Sequence, residues 1–430
     1  MKIILAILIL ISVYGKAQES LYLHDAINIA LKNSLDIQLS KNNVEANSIY
    51  NNYGIAGGLP LITGTANDIE QLTNINQKLS NGTVIKRYGA TANNLTSGVT
   101  ASILLYNGMR VVTTKKRLEE LQQQSEQLLN AQIQNIIAAV MTNYYDVVRQ
   151  QSYLKTLEQS IEVSKQRLNI VQIRQSVGLA NNADLFQTQL DLNALIQARE
   201  SQQLIIDQAK TNLLTLLTLK ADSAISISDT IIVERNISLE NILSNLHQSP
   251  EVHAAEEQIR INELIEKETA AQRYPSVSFN SGYNFNLSKS SGGFNLYNEN
   301  YGPFIGLYLS VPIYNGSVYK SQQHVAEINT QSAVIQKDIL IRDNSSSAVK
   351  SFQSYQNALQ QLETEQQNYF LAQQLLDLVL QRFELRVATI VDVEIAQQTF
   401  QDAGYRLVNL SFAAKAAEIE MKRLANQLSF

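Results

Sequence analysis

The sequence has no cysteine and no tryptophan, and only five prolines in 430 residues. Without cysteine there is no disulfide, no thiolate metal site, no cysteine nucleophile and no lipid-modified N-terminal cysteine. The prolines (Pro60, Pro250, Pro275, Pro303, Pro312) all avoid two stretches, 108–220 and 313–430, which are nearly glycine-free as well. Both residues break helix interiors, so these stretches predict very long helices. Charge is sparse, at 17% of residues with a formal net charge of -5, which argues against nucleic acid as a partner. The four histidines (His24, His247, His253, His324) are scattered. With no glycine-rich phosphate loop and no nucleophile–base spacing, nothing supports an enzyme, and no cofactor or metal is expected. The carboxylate pairs Glu119-Glu120 and Glu256-Glu257 read as solvated helix faces.

What is present begins with Lys2, the apolar run Ile3 to Val13 and the small-residue site Gly15-Lys16-Ala17. Residues 1–17 read as a secretory signal peptide. No later apolar run approaches the roughly 20 residues of a spanning helix, so an exported chain of this kind enters a membrane only as a β-barrel.

An internal repeat organises the rest. Gly98 to Gly108 is echoed by Gly306 to Gly316, and Arg174, Asp184, Leu185 and Gln189 by Arg382, Asp392, Val393 and Gln397, both 208 positions later. A constant offset implies two helices of one fixed length, each about 100 Å at about 1.5 Å per residue. Between the markers, Leu118, Leu121, Leu128, Ile136, Val140, Val147 and Leu154 recur every three or four positions or multiples of them. Phe352, Tyr355, Leu359, Leu362, Tyr369, Leu376 and Leu380 do the same in the second copy, a coiled-coil stripe in each.

Elsewhere the period is two. Val277, Phe279, Tyr283, Phe285 and Leu287 alternate with Ser276, Ser278, Asn280, Asn284 and Asn286, and Ile305, Leu307, Leu309, Val311 and Ile313 form the apolar side of a second strand. The polar stretch Ser288 to Gly302 reads as the loop joining them. Residues 60–106 hold a weaker copy, with Ile62, Leu72, Leu95, Val99 and Ile103. Strands of roughly 11 residues with one apolar and one polar face match the transmembrane β-barrel pattern. Four strands cannot close a barrel, for which roughly eight are the minimum, so several copies must pool their strands. The half-length helices Asp184–Leu219 and Asp392–Leu428 are expected to stack end to end with Asp25–Tyr53 and Glu251–Ala271 to partner the long ones.

This organisation resembles the TolC family of outer-membrane efflux and secretion channels. The similarity is carried by Leu21 to Ser34, which resembles the family's opening helix, by Asn245 to Val252, which resembles the start of its second half, and by Arg174-Gln175-Ser176-Val177-Gly178-Leu179-Ala180, which resembles its helix-hairpin tip. The fold implied is mainly α with a membrane β-barrel portion: a homotrimer whose twelve-stranded outer-membrane barrel continues into a twelve-helix periplasmic α-barrel. The repeats are expected at 18–220 (strand pair 60–106, tip 177–182) and 251–430 (strand pair 275–314, tip 385–391), with 221–250 as a linker or equatorial segment.

The resemblance also implies partners, a periplasmic adaptor protein and an inner-membrane transporter, alongside outer-membrane lipid. Arg174, Val177, Gly178 and Leu179, with Arg386, Val387 and Ala388 as the second-copy counterparts, are the implied adaptor contacts. Plain helix-ending caps are the alternative reading. Asp392, in Thr389-Ile390-Val391-Asp392-Val393, resembles an aspartate ring at the periplasmic aperture, with Asp184 its first-copy equivalent. Three such carboxylates at one pore would attract cations and raise one another's pKa; a helix-capping acid is the alternative. The tyrosine and arginine that lock closed family members are replaced by Phe383 and Ala388, so closure is expected to rest on packing. A membrane-anchored, periplasm-spanning structural coiled coil or adhesin is the competing function. A metal-ion duct is a third, weakened by the lack of Cys and of Met or His clusters.

Overall fold

The computed structural model describes residues 19–428, so the expected signal peptide lies outside it. Four helices carry the duplication. α3 (Arg110–Ser176) and α7 (Val318–Glu384) have 67 residues each, and α4 (Asn182–Leu216) and α8 (Ile390–Leu424) have 35 each. Every start and end in one pair lies 208 positions from its counterpart, as the sequence offset required. Backbone exceptions repeat too: Gly108 and Gly316 both have φ 68°, Met109 and Ser317 67° and 66°, Thr218 and Asn426 55° and 54°.

The chain divides into two compact units, each drawing segments from both copies. The first comprises residues 19–42, 127–253 and 338–428 among those described. It contains α1 (Leu23–Asn33), the start of α2 (Leu35–Tyr50), most of α3 and α7, all of α4 and α8, and the short α5 (Leu239–Asn245). Apolar stripes close four buried clusters here. The largest joins Ala26, Ile27 and Ile37 to Ile137, Val140 and Val147 of α3 and to Leu213 and Leu214 of α4. The buried helical members of these clusters fall on the coiled-coil seams, with Gln-rich faces between them.

Segment 221–250, expected as a linker or equatorial segment, is pinned at three places. Its strand β4 (Ile225–Ser226) pairs in parallel with β1 (Glu19–Ser20). The Tyr144 hydroxyl donates to Leu21 O and Asp229 at 3.2 and 3.3 Å. Further on, the Glu234 N–H donates to buried Glu418 at 3.1 Å, which also takes Lys415 and Lys422 at 2.8 and 3.0 Å.

The second unit, residues 43–126 and 254–337, holds α6 (the part after His253 of Pro250–Ala271), the first turns of α3 and α7, and one antiparallel sheet. Its strands are β2 (Leu61–Lys78), β3 (Val84–Tyr106), β5 (Ser276–Ser290) and β6 (Tyr297–Ser310), in the order β2-β3-β5-β6. Register sorts the side chains into two faces. Ile103, Phe279 and Leu307 share one row, as do Val99, Tyr283 and Pro303; the alternate rows carry polar residues such as Thr96, Asn286 and Asn300, with Phe304 and Tyr308 among them. Pairing fixes the apolar and polar faces that alternation predicted. Of the described strands, β2 and β6 each keep one edge without a partner in the chain.

Three sequence expectations change. The strands are longer than about 11 residues, reaching 23 in β3, and the expected loop Ser288–Gly302 shrinks to residues 291–296. Polar side chains there pair across the ladder, for example Asn286 Nδ2 to Asn300 Oδ1 at 2.9 Å, so polarity marks exposure rather than a loop. The opening helix ends at Tyr50, and it is interrupted at Ser34, whose extended ψ of 126° separates α1 from α2. The second short helix ends at Leu424, not Leu428, at a residue-426 turn that repeats residue 218.

Candidate functional site

The two hairpin tips are built by the same backbone from different side chains. α3 ends with Leu179 N–H donating to Arg174 O at 2.7 Å and Gly178 N–H to Gln175 O at 3.0 Å. α7 ends identically, with Val387 N–H to Arg382 O at 2.8 Å and Arg386 N–H to Phe383 O at 3.1 Å. This helix-ending motif puts one residue in the left-handed region, Gly178 at φ 74° and Arg386 at φ 64°. Arginine at the glycine position therefore does not change the turn.

These bonds also settle the correspondence. Val177, Gly178 and Leu179 match Leu385, Arg386 and Val387, one position earlier than the sequence alignment of the tips had it. Leu385, which sequence reasoning missed, is 75% exposed, beside Val387 at 63% and Val177 at 63%. The constant offset of 208 was the signal that would have found it. Ala388 matches Ala180 instead, and both are half-buried against Val171, Leu380, Phe383 and Val393.

After each turn a side chain caps the next helix. Asn181 Oδ1 accepts the Asp184 N–H at 2.8 Å. Thr389 Oγ1 accepts the Asp392 N–H at 3.2 Å, and Asp392 reciprocates by accepting the Thr389 N–H at 2.7 Å and its hydroxyl at 2.8 Å. Asp392 is exposed and Asp184 half-buried. The Thr389 backbone bond, its hydroxyl and nearby Arg382 hold the Asp392 carboxyl below the ordinary carboxylate value. Within one chain the capping role is thus the realised one, and the shift runs opposite to that expected of a crowded ring.

Arg174 faces inward. Its guanidinium donates to Phe383 O and lies 4.3 Å from the centre of the Phe383 ring. Burial and the positive charge of Arg386 draw its pKa below the usual guanidinium value. The two tips of one chain are tied by a charged bond as well as by packing. The carboxylate pairs are only partly solvated: Glu119 is exposed, but Glu257 is buried, and Arg260 lies 3.3 Å from Glu120 as well as against Glu257. Hydrogen bonding to the Glu257 carboxyl, then burial and like-charge repulsion, push Glu120 up to about 7. Among the described residues no group of acids, histidines or cysteines is placed to hold a metal ion, and no helix is long and apolar enough to cross a membrane.

A family model described as outer membrane efflux protein matches residues 26–219 and 242–427. The chain belongs to the outer membrane efflux protein family. Its two matched segments correspond to the two copies of the duplicated unit. The outer membrane protein TolC of Vibrio cholerae is 22% identical over 347 residues, 78% of this chain and 77% of that protein. Among solved structures, the outer membrane protein VceC of Vibrio cholerae superposes with a TM-score of 0.75 at 18% identity, covering 94% of this chain and 95% of its own. The CmeC outer membrane channel of Campylobacter jejuni gives 0.77 at 16% identity, covering 98% and 92%. This efflux-family member therefore shares the fold of outer-membrane channels over nearly its whole length.

Proposed function

We propose that the chain is the passive exit duct of a tripartite efflux or type I secretion system, assembled as a homotrimer. The observation that carries this reading is the four-stranded sheet with unpaired edges on β2 and β6. An unpaired edge recruits another strand, and a second copy offers a matching one. Three copies supply twelve strands, enough for a barrel with a water-filled interior. Exposed Ile305 and Leu307 on one face and Asn284 and Asn286 on the other suit lipid outside and water inside.

In this reading the helices extend into the periplasm and the tips meet an adaptor protein. Val177, Leu179, Leu385 and Val387 form the apolar part of that contact, with Gly178, Arg386 and Ala388 shaping the turns and Arg174 holding them together. Asp392, with Asp184, supplies negative charge at the aperture. Purified protein in planar bilayers is expected to give single-channel currents, either alone or once an adaptor is added. A native mass other than three copies, or no current under both conditions, would count against the proposal.

A further inference from the structure

Where the strands end and the long helices begin, positive charge collects without a counter-charge. Arg110 opens α3, Arg273 follows α6, and Lys320 lies in the first turn of α7. A cavity of about 330 Å³ is lined by Arg273 and Lys320 with Tyr314 and Asn315. A second, of about 220 Å³, is lined by Arg110 with Tyr274, Ser276 and Ser310. Pro312 and Tyr319 line both, so the cavities adjoin, and no aspartate or glutamate lines either one. None of the three cations has a carboxylate partner among the described residues; Arg273 has only the Gln323 side-chain oxygen at 3.3 Å. Two turns further along α3 the situation differs, since Arg117 is paired with Glu268 at 2.7 Å and Lys115 with Glu119 at 3.9 Å. In a chain of formal net charge -5, three neighbouring unpaired cations make a local field of the minority sign.

The sheet register says which face the Arg110 cavity adjoins. Ser276 pairs with Ser310, and Asn280 and Asn284 follow on the same face, the polar one. Val277 and Leu309, the paired apolar positions, do not line the cavity that holds Arg110, whereas Ile313, beyond the end of β6, lines the one that holds Arg273 and Lys320. Its remaining lining, Asn107 and Gln272 with the tyrosine and serine hydroxyls, is rich in neutral donors. Guanidinium and ammonium groups among neutral donors suit an oxyanion.

We propose that Arg110, Arg273 and Lys320 form an anion site at the strand-to-helix junction, entered at Arg110 from the polar face of the sheet, that takes phosphate- or carboxylate-bearing solutes. Its place on the export path rests on the exit-duct reading, while the site itself does not. Repeated in each copy, it would set a ring of positive charge at the strand-to-helix junctions.

Inorganic triphosphate is the probe, applied to the detergent-purified full chain by titration calorimetry and to reconstituted channels as a blocker. The combined variant R110Q/R273Q/K320Q is expected to bind triphosphate about tenfold more weakly or worse, and to be blocked correspondingly less. The charge-retaining variant R110K/R273K/K320R is expected to keep most of both. Binding in the wild type that is lost in the neutral variant, in a preparation that carries no current, supports the site and removes the duct. Currents with the same triphosphate affinity in wild type and neutral variant overturn the site and leave the duct standing. The proposal also falls if the neutral variant keeps its triphosphate affinity but loses retention on phosphatidylglycerol vesicles relative to phosphatidylcholine ones, which would assign the cations to lipid headgroups.

Discussion

The first tip turns on glycine and is capped by asparagine; the second turns on arginine and is capped by a threonine–aspartate box. Their hydrogen bonds and dihedral angles are nonetheless the same. What a hairpin tip demands of its sequence is therefore a backbone conformation and a set of satisfied helix ends, and several side chains meet that demand. The difference lies in what each tip adds: Arg174 of the first reaches the second, whereas its repeat partner Arg382 instead lies near Asp392.

That asymmetry gives the largest expected effect. Arg174→Ala removes a charged bond to Phe383 O and a cation over its ring, together about 2 kcal/mol or roughly thirtyfold in the opening of the tips. Hydrogen exchange should show it as faster exchange in the last turns of both α3 and α7. Phe383→Leu keeps the carbonyl and loses only the ring, so it should recover part of that protection. Exchange that changes in α3 alone would mean the tips are not tied.

A smaller effect follows from the shared turn. Nothing lies within 4 Å of a Cβ built on Gly178, so a side chain there meets only the backbone penalty of the left-handed region. Gly178→Arg is expected to destabilise its tip by about 1 kcal/mol and Arg386→Gly to stabilise the other by about the same or somewhat less, since glycine loses more freedom on folding. Equal exchange rates in both variants and the wild type would show that the turn is set by the helices on either side.

How legible all this was depended on which constraint acted locally. The constant offset from Gly108 to Arg382 fixed the helix lengths and paired the copies, because one repeated unit must repeat its geometry. Strand existence was legible from alternation in Val277 to Leu287, yet strand length was not, because asparagines 286, 298 and 300 pair across a ladder that only the register reveals. Arg174 was read as a surface contact because the helix it reaches lies 209 positions away, beyond any local pattern. That Arg386 takes the turn of Gly178 is not visible in residue type, because the turn is set by backbone bonds that the two tips share. The carboxyl pair Glu120 and Glu257 hid for the same reason as Arg174: its partners are distant in sequence.

The smallest effect concerns Asp392, and it tests the aperture. Its carboxylate is favoured in the folded chain by the Thr389 N–H and hydroxyl, so its pKa lies below the ordinary 3.8. A depressed folded value means the stabilisation is present above the unfolded value and is lost as pH falls through the folded one. Protection of the first turn of α8, normalised to intrinsic exchange at each pH, should therefore fall below about pH 4 in the wild type. In Asp392→Asn that step should be absent; parallel profiles would remove the capping box as its cause. Assembly as proposed would add an opposing influence, because three Asp392 carboxylates brought to one aperture would disfavour charge on each other. A step that moves to higher pH in the trimer than in dissociated chains would place the three Asp392 side chains close together. A step that stays put would leave Asp392 a helix cap, and the second tip would then differ from the first only in how its helix end is satisfied.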